Sequence, residues 1–390
     1  MTVASRPGEI KALAGARAIP PLILVLYHYC EGHHYRNFKP FDLLVGHGYM
    51  WVEFFFALSG FILTYVYGAR VIEFFRGHAY KDFLVARLSR LYPLHLAMLL
   101  YILVMMLTLN ALAHANGTQS IYEQQYHPIV TWQTFIANLF LVQAWNIFPY
   151  LSWNGASWFV SVEFLLCLLF PIYLVLTRGG WLSALGLIAA GVAGLWYLAA
   201  TGAHGLDITF HNGIFRGMSA FAAGVGMCVL YQKTRDAADA LPEGAISAFQ
   251  IAVLVWWGFG TFDNGWSHTH RDIYTVLPML ALVYALSFDR GIAARFFHLR
   301  PLLKLGEWSY AIYIGQTAWL QLIRFFESAY PPDDTLVFGI RFADLIWWPE
   351  PLLLLLVCIG WGALLCTCIE IPANRALRQF FAREREPAPA

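Results

Sequence analysis

Ten apolar runs of about 20 residues recur along the chain, at 13–30, 48–68, 91–112, 155–177, 181–201, 213–232, 245–262, 273–289, 306–325 and 346–368. A run of that length crosses roughly 30 Å of hydrocarbon as an α-helix. Lipid offers no water to exposed amides, so a spanning backbone must close its hydrogen bonds as a helix or a sealed barrel. The fold class expected is therefore all-α, a polytopic membrane helical bundle of about ten transmembrane helices. Composition supports this: 59% of the residues are hydrophobic and 13% charged, against about one quarter charged in a soluble domain. A net charge of +1 argues against nucleic acid as a partner, because such binders carry a strong basic excess. Membrane lipid is the partner that the composition itself demands.

The basic residues predict the orientation. With both termini cytoplasmic, the inner side holds Arg6, Lys11, Arg70, Arg76, Lys81, Arg87, Arg90, Arg178, Lys233, Arg235, Arg290, Arg295, Arg300, Lys304, Arg375, Arg378, Arg383 and Arg385, and the outer loops hold Arg36, Lys39, Arg271 and Arg341. The first apolar run is broken by Arg17, Pro20 and Pro21 and lacks a small-residue cleavage site, so it reads as a spanning helix rather than a removable signal. Thr131–Trp145 is apolar but too short to span, and is expected to be an interfacial or re-entrant helix on the outer side, near 131–145. Ala69–Arg90 mixes aromatic and basic residues and is expected to lie as an amphipathic helix on the inner leaflet. Residues 1–375 form one membrane unit, followed by a short, charged, frayed cytoplasmic tail at 376–390.

Ionisable residues inside apolar runs are costly unless paired or functional, and they mark candidate sites. Arg17 and His28 are eleven residues apart, close to three helical turns, so they share a face and sit roughly 16 Å apart along the axis. The proline pair between them removes backbone donors and is expected to bend or open that helix. Glu53 enters the second run, as an interfacial anchor or a buried partner for a cation, and Ser59-Gly60 in its middle suit close helix packing. Arg87 and Arg90 share a helical face and could grip a phosphate-bearing ligand or anchor the chain at the headgroups. In the fourth run Trp158, Ser161 and Glu163 lie too close in sequence to share one face, and Glu163 needs a partner such as Arg17, Arg216 or His28. Arg216 in the sixth run wants an acidic or carbonyl partner. Ser309, Tyr310, Tyr313 and Gln316 in the ninth run read, by themselves, as packing.

The six cysteines (Cys30, Cys167, Cys228, Cys358, Cys366, Cys368) show no paired metal spacing and read as free thiols. The outer-loop clusters CEGHH (Cys30–His34) and SHTH (Ser267–His270) hold ligand-type residues without a recognised zinc spacing. No metal is expected.

Taken in order along the chain, these residues resemble the integral-membrane acyltransferase type-3 family, which includes bacterial sugar and polysaccharide O-acyltransferases. Arg17 and His28 match its arginine-to-histidine element, and Phe55–Phe61 match FFxLSGF with Glu53 ahead of it. Arg87, Arg90 and Pro93 match RxxRxxP; Trp158, Ser161 and Glu163 match a tryptophan-serine-glutamate element. Gly306, Ser309, Tyr310 and Tyr313 match a late G-x-x-S-Y-x-x-Y element, and Glu370 and Pro372 a closing E-x-P. The late element usually ends in histidine, where this chain has Gln316. An amide hydrogen-bonds but does not titrate near neutral pH, which shifts the catalytic case onto His28.

The resemblance implies an acyl-CoA co-substrate, most often acetyl-CoA, bound from the cytoplasm, and a hydroxyl acceptor on a carbohydrate, glycolipid or exopolysaccharide. It implies O-acetylation at the bacterial inner membrane, with polysaccharide-synthesis machinery as a possible partner. In that reading Arg17, Arg87 and Arg90 bind the donor, His28 takes the hydroxyl proton or carries the acyl group, and Glu163 balances the imidazolium. Glu53, Ser59, Trp158, Ser161, Arg216, Ser309, Tyr310, Tyr313 and Gln316 support them. The rival readings are a transporter or flippase with Arg17, Glu163 and Arg216 along an intramembrane charged path, or a non-catalytic membrane subunit of a polysaccharide synthase.

Overall fold

The computed structural model describes residues 8–33, 45–68, 74–75, 79–120, 122–123, 128–264, 270–329, 336–337, 340–341 and 349–383. The helices in chain order are α1 (Lys11–Ala16), α2 (Ile19–His33), α3 (Trp51–Tyr67), α4 (Ala79–Ala115), α5 (Trp132–Leu139), α6 (Trp158–Leu176), α7 (Trp181–Thr201), α8 (Gly213–Asp239), α9 (Glu243–Asn264), α10 (Asp272–Ser287), α11 (Ile292–Phe297), α12 (Arg300–Ala329), α13 (Pro349–Leu365) and α14 (Ile371–Arg383). Among the described residues the extended backbone is a two-residue ladder, Leu336–Val337 against Ile340–Arg341. The chain is a polytopic helical bundle, and each of the ten predicted spans falls largely on helix over its described residues.

Among the described residues, eight segments are long and apolar enough to cross a membrane: Lys11–Cys30, Gly48–Tyr67, Ala79–Ala115, Gly155–Gly179, Trp181–Thr201, Gly213–Asp239, Glu243–Asp263 and Pro351–Phe381. The other two expected spans are α10, whose 16 residues reach only about 24 Å, and the 30-residue α12, which carries several charges. Large apolar side chains on the outer faces of α4, α7 and α9, such as Val104, Trp196 and Phe259, stand exposed as lipid requires.

At the centre, α8 packs against α3 and α7 through small residues. A Cβ on Gly224 would lie 1.9 Å from the Ala57 carbonyl oxygen, and one on Gly60 would lie 2.3 Å from that of Phe221. The two backbones therefore cross at a distance that only glycine permits, the small-residue packing expected between membrane helices. This crossing fixes the height at which α3 presents Ser59.

Two expectations are corrected. The stretch leading to Arg90 is not a separate helix on the leaflet: from Ala79 it is the start of the 37-residue α4. Phe83 there is 1% exposed and stacks on Phe170, so the aromatics serve the core rather than the headgroups. Residues 69–73 and 76–78 of that stretch lie outside the described residues. The tail is helical through Arg383, because Leu377 and Phe381 recur on one face of α14; residues 384–390 lie outside the described residues, as do His34 and His268 of the two histidine clusters. The 131–145 segment is a short helix, α5, opened by a Thr131–Thr134 capping box, and then irregular backbone.

Candidate functional site

Arg17 stands where the first membrane segment breaks. α1 ends at Ala16 and α2 begins at Ile19. Pro20 and Pro21 have no N–H to return to the carbonyls of Ala16 and Arg17, so the α-ladder lapses there. Ala18 N instead closes a tight 3.0 Å bond to Gly15 O. The opening predicted from the proline pair is thus present, and it falls at the arginine.

One cavity gathers much of the remaining chemistry. Arg17, Ser59, Arg87, Arg90, Glu163, Ser309, Tyr310 and Tyr313 line it, with Phe55, Leu58, Ile62, Leu91 and Phe159 completing its walls. From each helix the contributors recur at three- or four-residue spacing, the signature of one inward face. Its volume is about 120 Å³, below the several hundred Å³ usual for a pocket that encloses a whole ligand, so it admits a small charged group rather than a whole nucleotide. Among the described residues no hydrogen bond or ion pair engages the guanidiniums of Arg17, Arg87 or Arg90; Arg87 leans on the Phe83 ring at 5.9 Å. Ser59 Oγ donates to Glu163 Oε1 at 2.5 Å, and the charges that act on Glu163 are Arg87, Arg90 and Arg17. Glu163 Oε2 is buried without a hydrogen-bond partner. The result is a mouth where three cationic forks without a hydrogen bond among the described residues stand near the Glu163 carboxylate, an arrangement suited to phosphate oxygens.

The sequence reading passed over one member of this cluster. Glu370 was quoted only as part of a closing motif, yet it is 6% exposed, has a buried Oε2 without a partner, and interacts electrostatically with Arg90 and Arg17. A single π-turn, Cys366–Glu370, turns it inward, with Ile371 N bonded to Cys366 O. Pro372 follows and cannot donate to Cys368, which favours the wider turn there. The E-x-P spacing was the available signal.

Trp158, Ser161 and Glu163 part company, as their spacing requires. Glu163 faces the arginines. Ser161 Oγ donates to Leu141 O at 2.7 Å and accepts from Ala144 N at 3.2 Å, while Trp145 Nε1 donates to Ser161 O at 3.1 Å. Tyr92 OH donates to Leu139 O at 3.0 Å and His95 Nε2 donates to Asn138 O at 2.8 Å. The last carbonyls of α5 and the irregular backbone after it are therefore held by side chains, including one from Tyr92, two residues beyond Arg90. Trp132, Ile136 and Phe140 stand exposed on the other face, the arrangement of an interfacial or re-entrant segment.

Trp158 belongs elsewhere: its ring lies 5.5 Å beneath the Arg216 guanidinium. Arg216 is fully buried and paired with Glu53, which accepts from Nε and, at 2.8 Å, from Nη2. Nη2 also donates to Tyr49 O at 2.6 Å and Nη1 to Ile208 O at 2.8 Å. Four of its five N–H hydrogens are thus engaged, so this group reads as a structural lock. The possibility of Arg216 as the partner of Glu163 is corrected by this geometry, and the charged path of the flippase reading is interrupted at the same place.

His28 lies outside the residues that line the arginine cavity. Its Nδ1 is 2.9 Å from Leu24 O. A carbonyl only accepts, so Nδ1 carries the hydrogen and Nε2 keeps the lone pair. Tyr27 packs edge-on against the ring, and the charge that acts on it is Arg324 of α12. Glu163 is thus engaged by Ser59 and the arginines, and the expected role of balancing the imidazolium is corrected accordingly. Arg324 went unnoticed, although an arginine inside the 306–325 run was itself the signal. Gln316 is buried, with Nε2 donating to Tyr313 O at 3.0 Å and Oε1 unpartnered. Among the described residues no group of three or more His, Cys, Asp or Glu converges on a metal position.

A family model described as "Acyltransferase domain" matches residues 10–369. The chain is also similar to the protein named Acyltransferase MdmB of Streptomyces mycarofaciens, 26% identical over 359 residues, covering 87% of this chain and 84% of that one. No solved structure matches.

Proposed function

The chain belongs to the integral-membrane acyltransferase family, and from that premise we propose that it moves an acyl group, most simply acetyl, from acyl-CoA to a hydroxyl of a carbohydrate or exopolysaccharide. The observation that carries the donor is the trio of unpaired guanidiniums, Arg17, Arg87 and Arg90, converging on one cavity. Pyrophosphate and ribose phosphate are the parts of an acyl-CoA that need such forks. The cavity holds the anionic end and leaves the rest of the nucleotide outside, where the excess of basic residues marks the cytoplasmic face of the inner membrane.

His28 is three turns further along the same membrane segment, about 16 Å for an unbroken helix. An extended pantetheine arm bridges a gap of that order and delivers the thioester toward Nε2. There Nε2 removes the proton from the acceptor hydroxyl, the oxygen attacks the thioester carbon, the C–S bond breaks, and the proton passes to the departing thiolate. Glu163, tied to Ser59, sets the spacing of the arginines and offsets part of their charge.

The test uses purified protein in nanodiscs with acetyl-CoA labelled in the acetyl group and a carbohydrate acceptor. Thiol release and label transfer are expected from the native chain and lost, by 100-fold or more, in His28→Ala of equal thermal stability. Undiminished transfer by that variant would overturn the assignment of the base.

A further inference from the structure

A second cavity, about 370 Å³, lies on the opposite side of α4 from the arginines. Arg87, Arg90 and Leu91 face the first cavity, whereas Val85, Leu88 and Tyr92 face this one. Its other walls come from Phe140 in the re-entrant segment, Phe164 of α6 and Phe381 of α14. The lining is almost wholly apolar, and the volume falls within the usual range for a built ligand site.

The charges stand at one end. Lys81 is exposed and precedes Val85 by one turn on the face of α4 that lines the groove. Arg378 is exposed on α14 and reaches across to α4, with Nη2 donating to Ala86 O at 3.5 Å. A greasy slot with two cations at one end, beside an amphipathic helix, complements an anionic amphiphile.

We propose that this groove binds an anionic glycerophospholipid of the surrounding membrane, an acyl chain lying between α4, the re-entrant segment and α14 and the phosphate held by Lys81 and Arg378. The site is separate from the acyl-transfer cavity and does not depend on the reading of that cavity. Its occupant presses on Phe140, next to Leu141, which is bonded to Ser161 two residues before Glu163. Lipid in the groove therefore braces the segment that backs the carboxylate.

The test is native mass spectrometry of the purified full chain with phosphatidylglycerol, phosphatidylcholine or a polyprenyl phosphate. Phosphatidylglycerol is expected to bind at least ~10-fold more tightly than phosphatidylcholine, about what two basic side chains confer. The double variant K81E/R378E, both exposed positions, is expected to abolish that preference, and Leu377→Trp, which fills the groove, to weaken both lipids. Arg178→Glu, exposed and remote, serves as the control and is expected to bind as the native chain does. Equal binding of the two phospholipids, an unaltered preference in K81E/R378E, or stronger binding of polyprenyl phosphate than of phosphatidylglycerol would each overturn the proposal. Thermal unfolding of every variant in detergent separates lost binding from lost fold.

Discussion

Ser59 of α3 and Glu163 of α6, 104 residues apart in sequence, meet in one hydrogen bond at the cavity wall. Two motifs that look independent in the chain are thereby one structural unit, the first supplying the donor and the second the carboxylate. Ser59→Ala leaves Glu163 with both oxygens unpartnered. A hydrogen bond to a charged group contributes about 1.5–3 kcal/mol, so turnover per KM for acetyl-CoA is expected to fall roughly 10- to 100-fold, with Ser59→Thr retaining most of it. Steady-state kinetics on purified protein decides, and an unchanged Ser59→Ala would show the bond to be incidental.

The three cavity arginines are expected to act on donor affinity. Arg17→Gln, Arg87→Gln and Arg90→Gln each remove one charge-assisted contact, worth about 1.5–3 kcal/mol, so each should raise KM for acyl-CoA by roughly an order of magnitude or more. Lysine at the same positions keeps charge without the fork and should recover only part. Acceptor KM measured in parallel should not move.

The Glu53–Arg216 lock predicts a different outcome. Removing one partner strands a buried charge at a cost of about 3–5 kcal/mol, so Glu53→Gln and Arg216→Met should lower the thermal unfolding midpoint in detergent and reduce the amount of protein in membranes. The double variant, with neither charge, should be more stable than either single one. Unfolding followed by near-ultraviolet circular dichroism measures this.

Ser161 holds the re-entrant segment through Leu141 O and Ala144 N. Ser161→Ala leaves two buried backbone groups unsatisfied, at about 1–3 kcal/mol for a lost buried partner. Faster hydrogen exchange confined to residues 139–145 is the expected readout; uniform exchange across α6 would show that the serine is not the anchor.

The helices were legible because lipid makes hydrophobic length almost synonymous with helix. The inward placement of Arg17 and Glu163 followed from the cost of a charge in that environment. Partners were not legible: Glu53 finds Arg216 across 163 residues, and nothing local in either run distinguishes Arg216 from Arg17 as a mate for Glu163. The start of α4 misled because Tyr80, Phe83 and Arg87 satisfy the pattern of a surface helix equally well, and only the partner ring of Phe170 shows that the aromatic face is covered. Glu370 was hidden by a π-turn, which shifts the facing of every later residue and leaves no mark on periodicity except the proline after it.

At 37 residues, α4 is about 55 Å long, nearly twice the thickness of the oily slab it crosses. A rod of that length must overhang, and Arg87 and Arg90 ride within about its first three and a half turns. An anion seized there can stay in water while the same strut, past Pro93, runs on to the opposite leaflet.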